Sequence, residues 1–573
     1  MICFYDFEVF KYDWLVVIIN PFERTETVIV NDVELLRKYH AENKQKIWCG
    51  FNTRHYDQYI LKGLLCGFDA WEVNDWIINK GLPGYQFSNL LNKIPLINYD
   101  VMLLNSSLKQ LEGFQGHSIH ESGVSFKTDR KLTTAEIQDT IEYCRNDVEE
   151  CINVWLETKS DFDAQLGLVK MFNLPLNAMS KTKAQISAEI LECVRQDFND
   201  EWDIVILDCL KLNKRKYQRI KEWFLNKDNQ NENMSLSADV CGVPHDFGLG
   251  GLHGAKTRYH HKCGKNELIL HVDVASYYPS LMIFHNLLTR ASKKPERFKE
   301  IYDLRLKLKR EGKKAEQAPL KIVLNGTFGI CKDKNNKAYD PRTASSICIN
   351  GQLLLLDLLE KLEDVPTFEL IQSNTDGLII KINRQYFDVV DDVCYEWEQR
   401  TKMTLEFDYI KEIWQKDVNN YVFVDLDGEI ERKGAYVKKL TSIDNDLPIV
   451  NKAILDYMLH RIPPEKTIRQ CNDLIMFQKI CKLTSKFAYV THNGKDYTNK
   501  CYRIFASKRT TDGSVNKVKY VSPTNDLSFH KFANTSEHSF IENGDITTAS
   551  VPERLNKQWY IDLVYERLEQ YGI

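Results

Sequence analysis

Acidic side chains recur near the N-terminus at spacings that suit metal-assisted phosphate chemistry. Asp6 and Glu8 lie two apart in a strand-like run, so they project from the same face of the strand. Asp57 falls in the first turn of a predicted helix, and Asp147 shares a helix face with Tyr143, four residues before it. Four carboxylates on a sheet and two helices can hold a pair of divalent cations, and their oxygen ligands favour Mg²⁺ or Mn²⁺. Such a site activates water for phosphodiester hydrolysis.

A second pair of aspartates follows in the middle of the chain. Asp273 comes directly after the strand-like run Glu267–Val272, and Asp376 lies at the tip of a predicted hairpin between Phe368–Gln372 and Leu378–Ile382. Taken singly, each aspartate has an ordinary alternative as a turn or cap residue.

Cationic side chains between these aspartates are spaced for two helices. Arg305 and Lys309 lie four apart on one predicted helix, and Lys321, Asn325 and Phe328 fall on one side of the next. Cations on facing helices can clamp a triphosphate, with Phe328 stacked near a base. The alternative is a generic amphipathic helical hairpin.

Composition predicts an ordinary globular protein of several domains. The 573 residues are 43% hydrophobic and 27% charged, and the net charge of −4 argues against a protein that coats nucleic acid nonspecifically. Two local stretches differ: residues 290–314 hold eleven basic against four acidic residues, and residues 479–519 hold ten against two. Both fit localised phosphate contacts or, alternatively, solvated faces. The fifteen cysteines include no Cys-x-x-Cys pair, and we expect a cytoplasmic protein without a membrane span.

The elements that must position these residues begin with an α/β region. Three strand-like runs, Ile2–Phe7, Trp14–Asn20 and Glu26–Val30, are predicted as an antiparallel meander, and a further apolar run, Lys46–Phe51, follows them. A helix is predicted from Asn52, and another from Thr133, where Glu136 completes a capping box. Residues 161–245 are predicted as mostly helical, and a basic helical pair is broken at Gly312.

The N-terminal residues resemble a known set of motifs. Asp6-Phe7-Glu8, Asn52-x-x-x-Tyr56-Asp57 and Tyr143-x-x-x-Asp147 resemble, in order and spacing, the three exonuclease motifs of proofreading DNA polymerases with an RNase H-like exonuclease domain. The resemblance implies metal ligation by Asp6, Glu8, Asp57 and Asp147. It also implies that Tyr143 orients the attacking water and that Asn52 and Tyr56 contact the frayed 3′ end. An assisting basic residue, Lys127 or Lys131, stays unassigned.

The central residues resemble the polymerase motifs of family B DNA polymerases of phage type. The matching positions are Asp273, Ser276, Tyr278, Pro279, Lys321, Asn325, Gly329, Thr375 and Asp376. Gly250-Gly251 resembles the segment that contacts the template, and Lys416 to Tyr421 with Lys433-Gly434 resembles the segment that grips the primer terminus.

The resemblance implies a two-metal nucleotidyl transfer, with two Mg²⁺ or Mn²⁺ ions in each active site. Metal ligation is implied for Asp273, Val274 and Asp376, and Lys321 counts among the catalytic residues. Contacts with the incoming dNTP are implied for Arg305, Lys309, Lys321, Asn325, Ser276, Tyr277 and Tyr278. Tyr278 would pack under the sugar and exclude a ribose 2′-hydroxyl.

The implied fold is a multidomain α/β protein, an RNase H-like exonuclease followed by a right-hand polymerase. Predicted boundaries are 1–160 for the exonuclease, 161–245 for a helical connector, 246–290 with 335–445 for the palm, 291–334 for the fingers, and 446–573 for the thumb and C-terminal region. The thumb, with Tyr502 and Arg503, would contact the duplex backbone. Expected partners are primer–template DNA, dNTPs and a primase or other replisome proteins, with no membrane.

Three departures keep other functions open. Asn374 stands where the family has the first aspartate of its hairpin, while Gly326 and Phe328 replace a serine and a tyrosine. Asn374 and Gly326 keep open, as an alternative, a 3′–5′ exonuclease with a weakened or inactive polymerase site; a noncatalytic single-stranded DNA-binding protein is a further alternative. Ser280 and Lys321 are only 41 positions apart, which leaves no room for the long insertion of protein-primed members and argues against priming by a protein.

Overall fold

The computed structural model describes residues 2–103, 106–119, 121–521 and 526–573, and these residues form a mixed α/β protein with several sheets. The chain splits into two compact units. Unit 1 comprises Met1–Lys181, Leu440–Ala453 and Ile462–Leu563, and unit 2 comprises Thr182–Lys439, Ile454–Arg461 and Val564–Ile573.

The N-terminal part of unit 1 is a five-stranded sheet with helices. Its strands are β1 (Ile2–Val9), β2 (Trp14–Asn20), β3 (Thr25–Val30), β4 (Ile47–Gly50) and β5 (Ile97–Asp100), in the order β3-β2-β1-β4-β5. Its α-helices are α1 (Val33–Asn43), α2 (Asp57–Cys66), α3 (Ala70–Asn74), α4 (Leu108–Gln115), α5 (Thr134–Glu157) and α6 (Lys159–Met171). The predicted antiparallel meander of the first three strands is confirmed, and β4 and β5 continue the sheet in parallel.

Strand β1 is buried on both faces, which fixes where its polar residues lie. Ile2 and Phe4 pack into one hydrophobic cluster, and Tyr5 and Phe7 pack into the cluster on the opposite face. Because side chains alternate along a strand, Asp6 follows Ile2 and Phe4 on their face of the sheet. Helix α5 begins with the predicted capping box of Thr133 and Glu136.

The helix predicted from Asn52 begins later, at Asp57. Asn52 has a φ of +62°, in the left-handed region, and its backbone N–H donates to Asp100 Oδ1 at 2.9 Å. The Arg54 N–H donates to the other carboxylate oxygen of Asp100, also at 2.9 Å. The Asp100 carboxylate thus accepts the backbone N–H groups of a turn that precedes the helix. Helical periodicity in the local sequence does not predict such a hydrogen bond from a distant side chain.

Unit 2 is built around a ten-stranded sheet. Its strands are β6 (Ser235–Val240), β7 (Val243–Gly248), β8 (His253–Ala255), β9 (Tyr259–Lys262), β10 (Glu267–Val274), β11 (Glu369–Asn374), β12 (Gly377–Asn383), β13 (Leu405–Asp417), β14 (Asn420–Asp425) and β15 (Ile430–Lys433). The order is β15-β14-β13-β10-β12-β11-β8-β7-β6, and β9 pairs with β13. Its α-helices are α7 (Lys183–Ile190), α8 (Arg215–Leu225), α9 (Tyr277–Phe284), α10 (Glu296–Arg310), α11 (Lys314–Lys332), α12 (Pro341–Leu362) and α13 (Phe387–Thr401). The predicted break at Gly312 is confirmed, since Gly312 has a φ of +72° between α10 and α11.

The segment 161–245, predicted as mostly helical, contains the strand β6 and a long stretch, 194–214, without α-helix or strand. Side chains of the buried helix α12 accept the N–H groups of this stretch instead. The Val205 N–H donates to Ser346 Oγ and the Leu207 N–H donates to Asn350 Oδ1, each at 3.0 Å. Tertiary hydrogen bonds therefore replace the helical ones that local sequence predicts.

The remaining elements belong to the C-terminal third. They are the helices α14 (Pro448–His460), α15 (Pro464–Gln470) and α16 (Lys557–Gln570) and the strands β16 (Lys479–Lys482), β17 (Tyr489–His492), β18 (Lys495–Tyr497), β19 (Cys501–Ala506), β20 (Asn516–Val521), β21 (Asp526–Lys531) and β22 (Ser539–Ile541). The strands form two small sheets, β16-β19-β22 and β18-β17-β20-β21. Among the described residues, no helix has the length and apolar character needed to cross a bilayer.

Candidate functional site

The first acidic site lies at the end of β1 in unit 1. Ligand atoms of Asp6, Glu8 and Cys144 all lie within 4.8 Å of one another, which confirms that the two carboxylates share a face. The Cys144 thiol, on α5, also donates to the Asp6 carbonyl at 3.3 Å. Asp57, at the start of α2, accepts the Phe7 N–H on Oδ1 at 3.1 Å, so it is tied to the same strand.

Lys109 on α4 brings a positive charge to this acidic site, and the sequence analysis did not single it out. Its Nζ bonds to Asp147 Oδ1 and, at 2.9 Å, to Glu112 Oε1. The ammonium lies 4.6 Å from the centre of the Tyr143 ring. The sequence signal was slight: a lysine and a glutamate three apart on a short helix. Of the two lysines that the sequence offered, Lys127 lines the neighbouring cleft.

Burial and mutual repulsion favour the neutral form of these carboxyl groups. Burial, then the charges of Asp57 and Glu8, raises the pKa of Asp6 well above its ordinary value. Burial raises the pKa of Asp57 to about 7, although the Phe7 N–H opposes the shift. Burial also raises the pKa of Asp147, and here Lys109 opposes it. The site therefore brings together more carboxyl groups than can all be ionised without additional positive charge.

A cleft of about 770 Å³ adjoins this acidic site. Glu8 lines it together with the rings of Tyr56, Trp71 and Phe126. The Tyr56 hydroxyl donates to Asn74 Oδ1 at 2.7 Å, and Phe126 stacks on Phe10 with centroids 5.0 Å apart. Aromatic rings beside carboxylates suit an unstacked nucleotide whose phosphate points at the acids.

The second acidic site lies where β10 meets the hairpin of β11 and β12 in unit 2. Asp273 pairs with Gly377 across the strands, and the Val274 N–H donates to the Asp376 carbonyl at 2.8 Å. A Cβ on Gly377 would lie 2.8 Å from Asp273 Oδ1, so the glycine leaves space beside the carboxylate. The predicted hairpin that presents Asp376 is therefore confirmed, and it delivers Asp376 next to the end of β10.

A cleft of about 400 Å³ opens over these aspartates. Helix α10 contributes Arg305 and Lys309 to it, and α11 contributes Lys321 and Asn325. The other predicted nucleotide-contacting residues also line it, namely Ser276, Tyr277 and Tyr278 together with Val274. Sequence reasoning missed Glu406, which lines the same cleft and is the cross-strand neighbour of Asp273 on β13.

Polar and ring contacts organise the wall of this cleft. Arg305 Nη1 donates to Ser276 Oγ at 3.2 Å, and Ser276 itself has a φ of +51°. The Tyr278 ring lies 4.6 Å from the Phe328 ring, and it stacks on Tyr277 with centroids 5.7 Å apart. Phe328 thus keeps ring packing at the position where the motif that the sequence resembles has a tyrosine.

Electrostatics in the second site also favour neutral carboxyl groups. Burial, then the charges of Asp376 and Glu406, raises the pKa of Asp273 to about 7. Burial raises the pKa of Asp376, while its own N–H, His271 and Lys433 oppose the shift. Lys433, predicted to grip the primer, is therefore close enough to act on the Asp376 carboxylate.

The other predicted nucleic-acid contacts lie around this sheet. A Cβ on Gly251 would lie 2.5 Å from Thr375 Oγ1, whereas a Cβ on Gly250 would have no atom within 4 Å among the described residues. Lys416 Nζ lies 3.7 Å from Asp417 Oδ2. Tyr421 is buried, and its hydroxyl donates to Glu431 Oε1 at 3.0 Å.

The prediction that Tyr502 and Arg503 contact a duplex is wrong, because both are fully buried. The Arg503 guanidinium donates to Gln478 Oε1 at 3.0 Å and to the carbonyl oxygens of Gly544 and His117 at 2.6 Å each. Burial lowers its pKa to about 10. The buried guanidinium links segments of unit 1 through their backbone carbonyl groups, and a count of charges along the sequence does not reveal that this side chain points inward.

No family model matches the chain, and no curated protein matches it. Among solved structures, the chain is similar to the structure of the family B DNA polymerase from the hyperthermophilic archaeon Pyrobaculum calidifontis. The two are 13% identical, the match covers 100% of this chain and 78% of that chain, and the TM-score is 0.43.

Proposed function

We propose that this chain is a template-directed DNA polymerase that carries a 3′–5′ proofreading exonuclease. The observation that carries the proposal is the cleft that brings Asp273 and Asp376 together with Arg305, Lys309 and Lys321. A site that binds a nucleoside triphosphate requires carboxylates that hold metal ions at the reacting phosphate. It also requires cationic side chains that neutralise the remaining phosphate charge.

The carboxylates of this cleft fit a pair of divalent cations. Burial raises the pKa of both carboxyl groups, and the charge of Asp376 raises that of Asp273 further, so a bound cation would stabilise their charged forms. The donor set consists of oxygen atoms, as Mg²⁺ and Mn²⁺ prefer. When bound by Asp273, Val274 and Asp376, two such ions would supply Lewis-acid activation of the primer 3′-hydroxyl and of the triphosphate.

The protein's own residues bind and orient the nucleotide. Arg305, Lys309 and Lys321 neutralise the phosphates, and Arg305 is held in place by its hydrogen bond to Ser276. Tyr278, braced between Tyr277 and Phe328, forms a wall under the sugar that excludes a ribose 2′-hydroxyl. Deoxynucleotides are therefore the proposed substrates.

The acidic site of unit 1 is proposed to hydrolyse the 3′-terminal phosphodiester. Its four carboxylates, Asp6, Glu8, Asp57 and Asp147, offer oxygen ligands in excess of the local positive charge, which fits two Mg²⁺ or Mn²⁺ ions. Those ions would supply a metal-activated water. Tyr143 would orient that water.

Lys109 is proposed as a positioning residue of the exonuclease site. Its ammonium holds Asp147 and faces the Tyr143 ring, so it fixes both residues relative to each other. The unpaired 3′ end would enter the neighbouring cleft and stack on Tyr56, Trp71 and Phe126. Asn52, in the turn before α2, would contact the same end.

The domain boundaries given by the sequence belong to this proposal. Residues 1–160 would form the exonuclease, 246–290 with 335–445 the palm, and 291–334 the fingers. Primer–template DNA and dNTPs are the proposed partners, with Gly250, Gly251, Lys416, Tyr421 and Lys433 near the DNA.

The test is extension and degradation of a labelled primer on a DNA template with Mg²⁺, with and without dNTPs. Asp376→Ala is expected to abolish extension and retain degradation, and the double variant Asp6→Ala, Glu8→Ala is expected to do the reverse. Asp391→Ala, an exposed aspartate on α13, is the control and should change neither activity. Degradation by the wild-type protein without extension at any dNTP concentration would instead support an exonuclease alone.

A further inference from the structure

The sheet β16-β19-β22 of unit 1 packs its two faces against different neighbours. Ile480 on β16 is the cross-strand partner of Arg503 on β19, so the two side chains lie on one face. On that face, Ile480 and Cys501 belong to the hydrophobic cluster that also contains residues of β1, β5 and α5. On the opposite face, Tyr502 and Ile504 belong to a separate cluster. The first face is therefore part of the core that surrounds the acidic site of unit 1.

Helix α4 ends against this first face, and its terminal carbonyl groups are bonded there. The Arg503 guanidinium donates to the carbonyl of Gly113, in the last turn of α4, at 3.1 Å and to that of His117 at 2.6 Å. Gln478, directly before β16, donates through Nε2 to the Phe114 carbonyl at 2.8 Å, and its Oε1 accepts from Arg503 Nε at 3.0 Å. Carbonyl groups at the end of a helix lack partners within the helix, and a cation there also interacts favourably with the helix dipole. Arg503 and Gln478 therefore hold the C-terminal end of α4.

Close packing adds to these hydrogen bonds. A Cβ on Gly113 would lie 3.1 Å from Ile480 Cδ1, so the helix and the sheet are in tight contact at this glycine. Directly after α4, the Gly116 carbonyl accepts the Ile546 N–H at 2.9 Å. The end of α4 is thus held by side chains and backbone of the C-terminal third.

The same helix carries a positive charge into the acidic site. Lys109, near the start of α4, forms ion pairs with Glu112, at 2.9 Å, and with Asp147 on α5. Its ammonium also lies 4.6 Å from the centre of the Tyr143 ring. Helix α4 has eight residues and spans about 12 Å, so a shift of its C-terminal end also moves Lys109.

We propose that Arg503 and Gln478 are positioning residues of the exonuclease site and act through α4 on Lys109. The inference rests on the exonuclease activity proposed above, and it gives a role in that activity to a residue 390 positions from Gly113 along the chain. A site that aligns water with a phosphodiester tolerates little displacement, since a misplacement of about 1 Å can lower a rate about 100-fold. The second acidic site lies in unit 2, and extension of a primer should not depend on this contact.

The first experiment measures degradation of a labelled single-stranded oligonucleotide with Mg²⁺. Arg503→Met and Gln478→Met are each expected to lower kcat by about 10- to 100-fold, with the larger loss at Arg503. KM should stay within about twofold, because other residues line the cleft proposed to receive the 3′ end. Extension of a matched primer should not change. Gln478→Met removes fewer hydrogen bonds and decides the question if Arg503→Met does not fold, and an unchanged kcat in the folded variants overturns the proposal.

Ile504→Ala separates positioning from a loss of stability. Ile504 is the buried neighbour of Arg503 on β19, and its side chain lies on the face away from α4. The variant is expected to lower the midpoint of thermal unfolding and yet to degrade DNA at the wild-type rate at a temperature where every variant is folded. A loss of kcat in Ile504→Ala equal to that in Arg503→Met overturns the proposal, because weakening the sheet would then be sufficient.

A double variant tests whether Arg503 acts through Lys109. Arg503→Met combined with Lys109→Met should degrade DNA at nearly the rate of Lys109→Met alone, because two changes that act through the same group are not additive in free energy. Losses that multiply would show that Arg503 acts independently of Lys109, which overturns the proposal.

Hydrogen exchange tests the same coupling without DNA or metal ions. In EDTA, the backbone amides of α4 are expected to exchange at least about tenfold faster in Arg503→Met than in the wild-type chain, because the end of the helix opens more often. Unchanged exchange in α4 overturns the proposal. A wild-type chain that degrades no DNA would refute the exonuclease, whereas exchange would still decide whether Arg503 holds α4, so the two failures are distinguishable.

Discussion

The two acidic sites differ in how their negative charge is balanced. In unit 1, four carboxylates lie on β1, α2 and α5, and the ammonium of Lys109 on α4 is bonded to Asp147 and Glu112. In unit 2, Asp273 and Asp376 line an open cleft with three cations from α10 and α11. The first arrangement suits a phosphodiester and a small nucleophile such as water. The second suits a substrate that brings several charges of its own.

The contrast also lies in which elements supply the cations. Lys109 lies one turn before Glu112 on a short helix, and its ammonium forms ion pairs with Glu112 and Asp147 of the same site. Arg305 and Lys321 come from the helical hairpin of α10 and α11, and Arg305 donates to two neutral side chains, those of Ser276 and Gln317. Cations without a carboxylate at hydrogen-bonding distance are the ones that a triphosphate would meet.

The largest effect on one activity but not the other is expected when a cation is removed from the second site. Lys321→Ala should lower kcat/KM for dNTP incorporation by about 100- to 1000-fold, as loss of a charge stabiliser of the reacting phosphates does. Degradation of single-stranded DNA should stay within about twofold, and single-nucleotide incorporation kinetics supply the measurement. Lys314→Ala, an exposed lysine on the same helix, is the control. An equal loss in both activities would contradict separate roles.

Removing the cation from the first site should have the reciprocal effect. Lys109→Met is expected to slow degradation about 100-fold, because Asp147 and Tyr143 lose the group that positions them. Extension of a matched primer should not change. Lys127→Ala tests one of the two lysines that the sequence offered. Lys127 lines the cleft beside Glu8 that we propose receives the 3′ end, so its effect should appear in KM rather than in kcat. A larger kcat loss for Lys127→Ala than for Lys109→Met would reverse the assignment.

Patterns of short range were predictable from the sequence. The alternation of side chains along a strand predicted that Asp6 and Glu8 share a face. The capping box predicted the start of α5, and the two β-rich runs that flank Asp376 predicted the hairpin. In each case neighbouring residues determine the outcome. The prediction that a helix begins at Asn52 was wrong, because the backbone N–H of Asn52 donates to the carboxylate of Asp100, nearly fifty residues away.

Long-range effects account for the other differences in the sites. Lys109 and Glu406 reach the acidic sites from elements that carry no recognisable motif. Arg503 counted as part of a basic stretch, yet it points inward to carbonyl oxygens of distant segments. Charge along a sequence says nothing about which side chains are buried, and burial decides whether a cation is structural or available to a ligand.

The pH dependence of metal-free stability sharpens the same comparison. Asp57 in unit 1 and Asp273 in unit 2 both have a folded pKa of about 7, raised chiefly by burial. Between the ordinary aspartate pKa near 4 and pH 7, the folded state holds protons that the unfolded state has released. Each group therefore lowers the free energy of unfolding as the pH rises through this window.

Thermal unfolding in EDTA at pH 5 to 8 is the measurement. The midpoint should fall with rising pH, and Mg²⁺ should restore it, more at pH 8 than at pH 5, because the ligands must be deprotonated. Asp57→Asn and Asp273→Asn should each flatten the profile. A Mg²⁺ effect that is the same at both pH values would argue against carboxylate ligation.

The smallest effect is expected where the second site departs from the motifs that the sequence resembles. Phe328→Tyr retains the ring that packs on Tyr278 at 4.6 Å, so kcat/KM should change by no more than about twofold. Phe328→Ala removes the ring, and loss of an aromatic pair worth about 0.5–1.5 kcal/mol should weaken nucleotide binding by about two- to twelvefold. A Cβ at Gly326 meets open space, so Gly326→Ser should also be nearly silent. A large gain in extension from either family residue would mean that this cleft is a weakened polymerase site, and the two sites would then differ in activity as well as in charge balance.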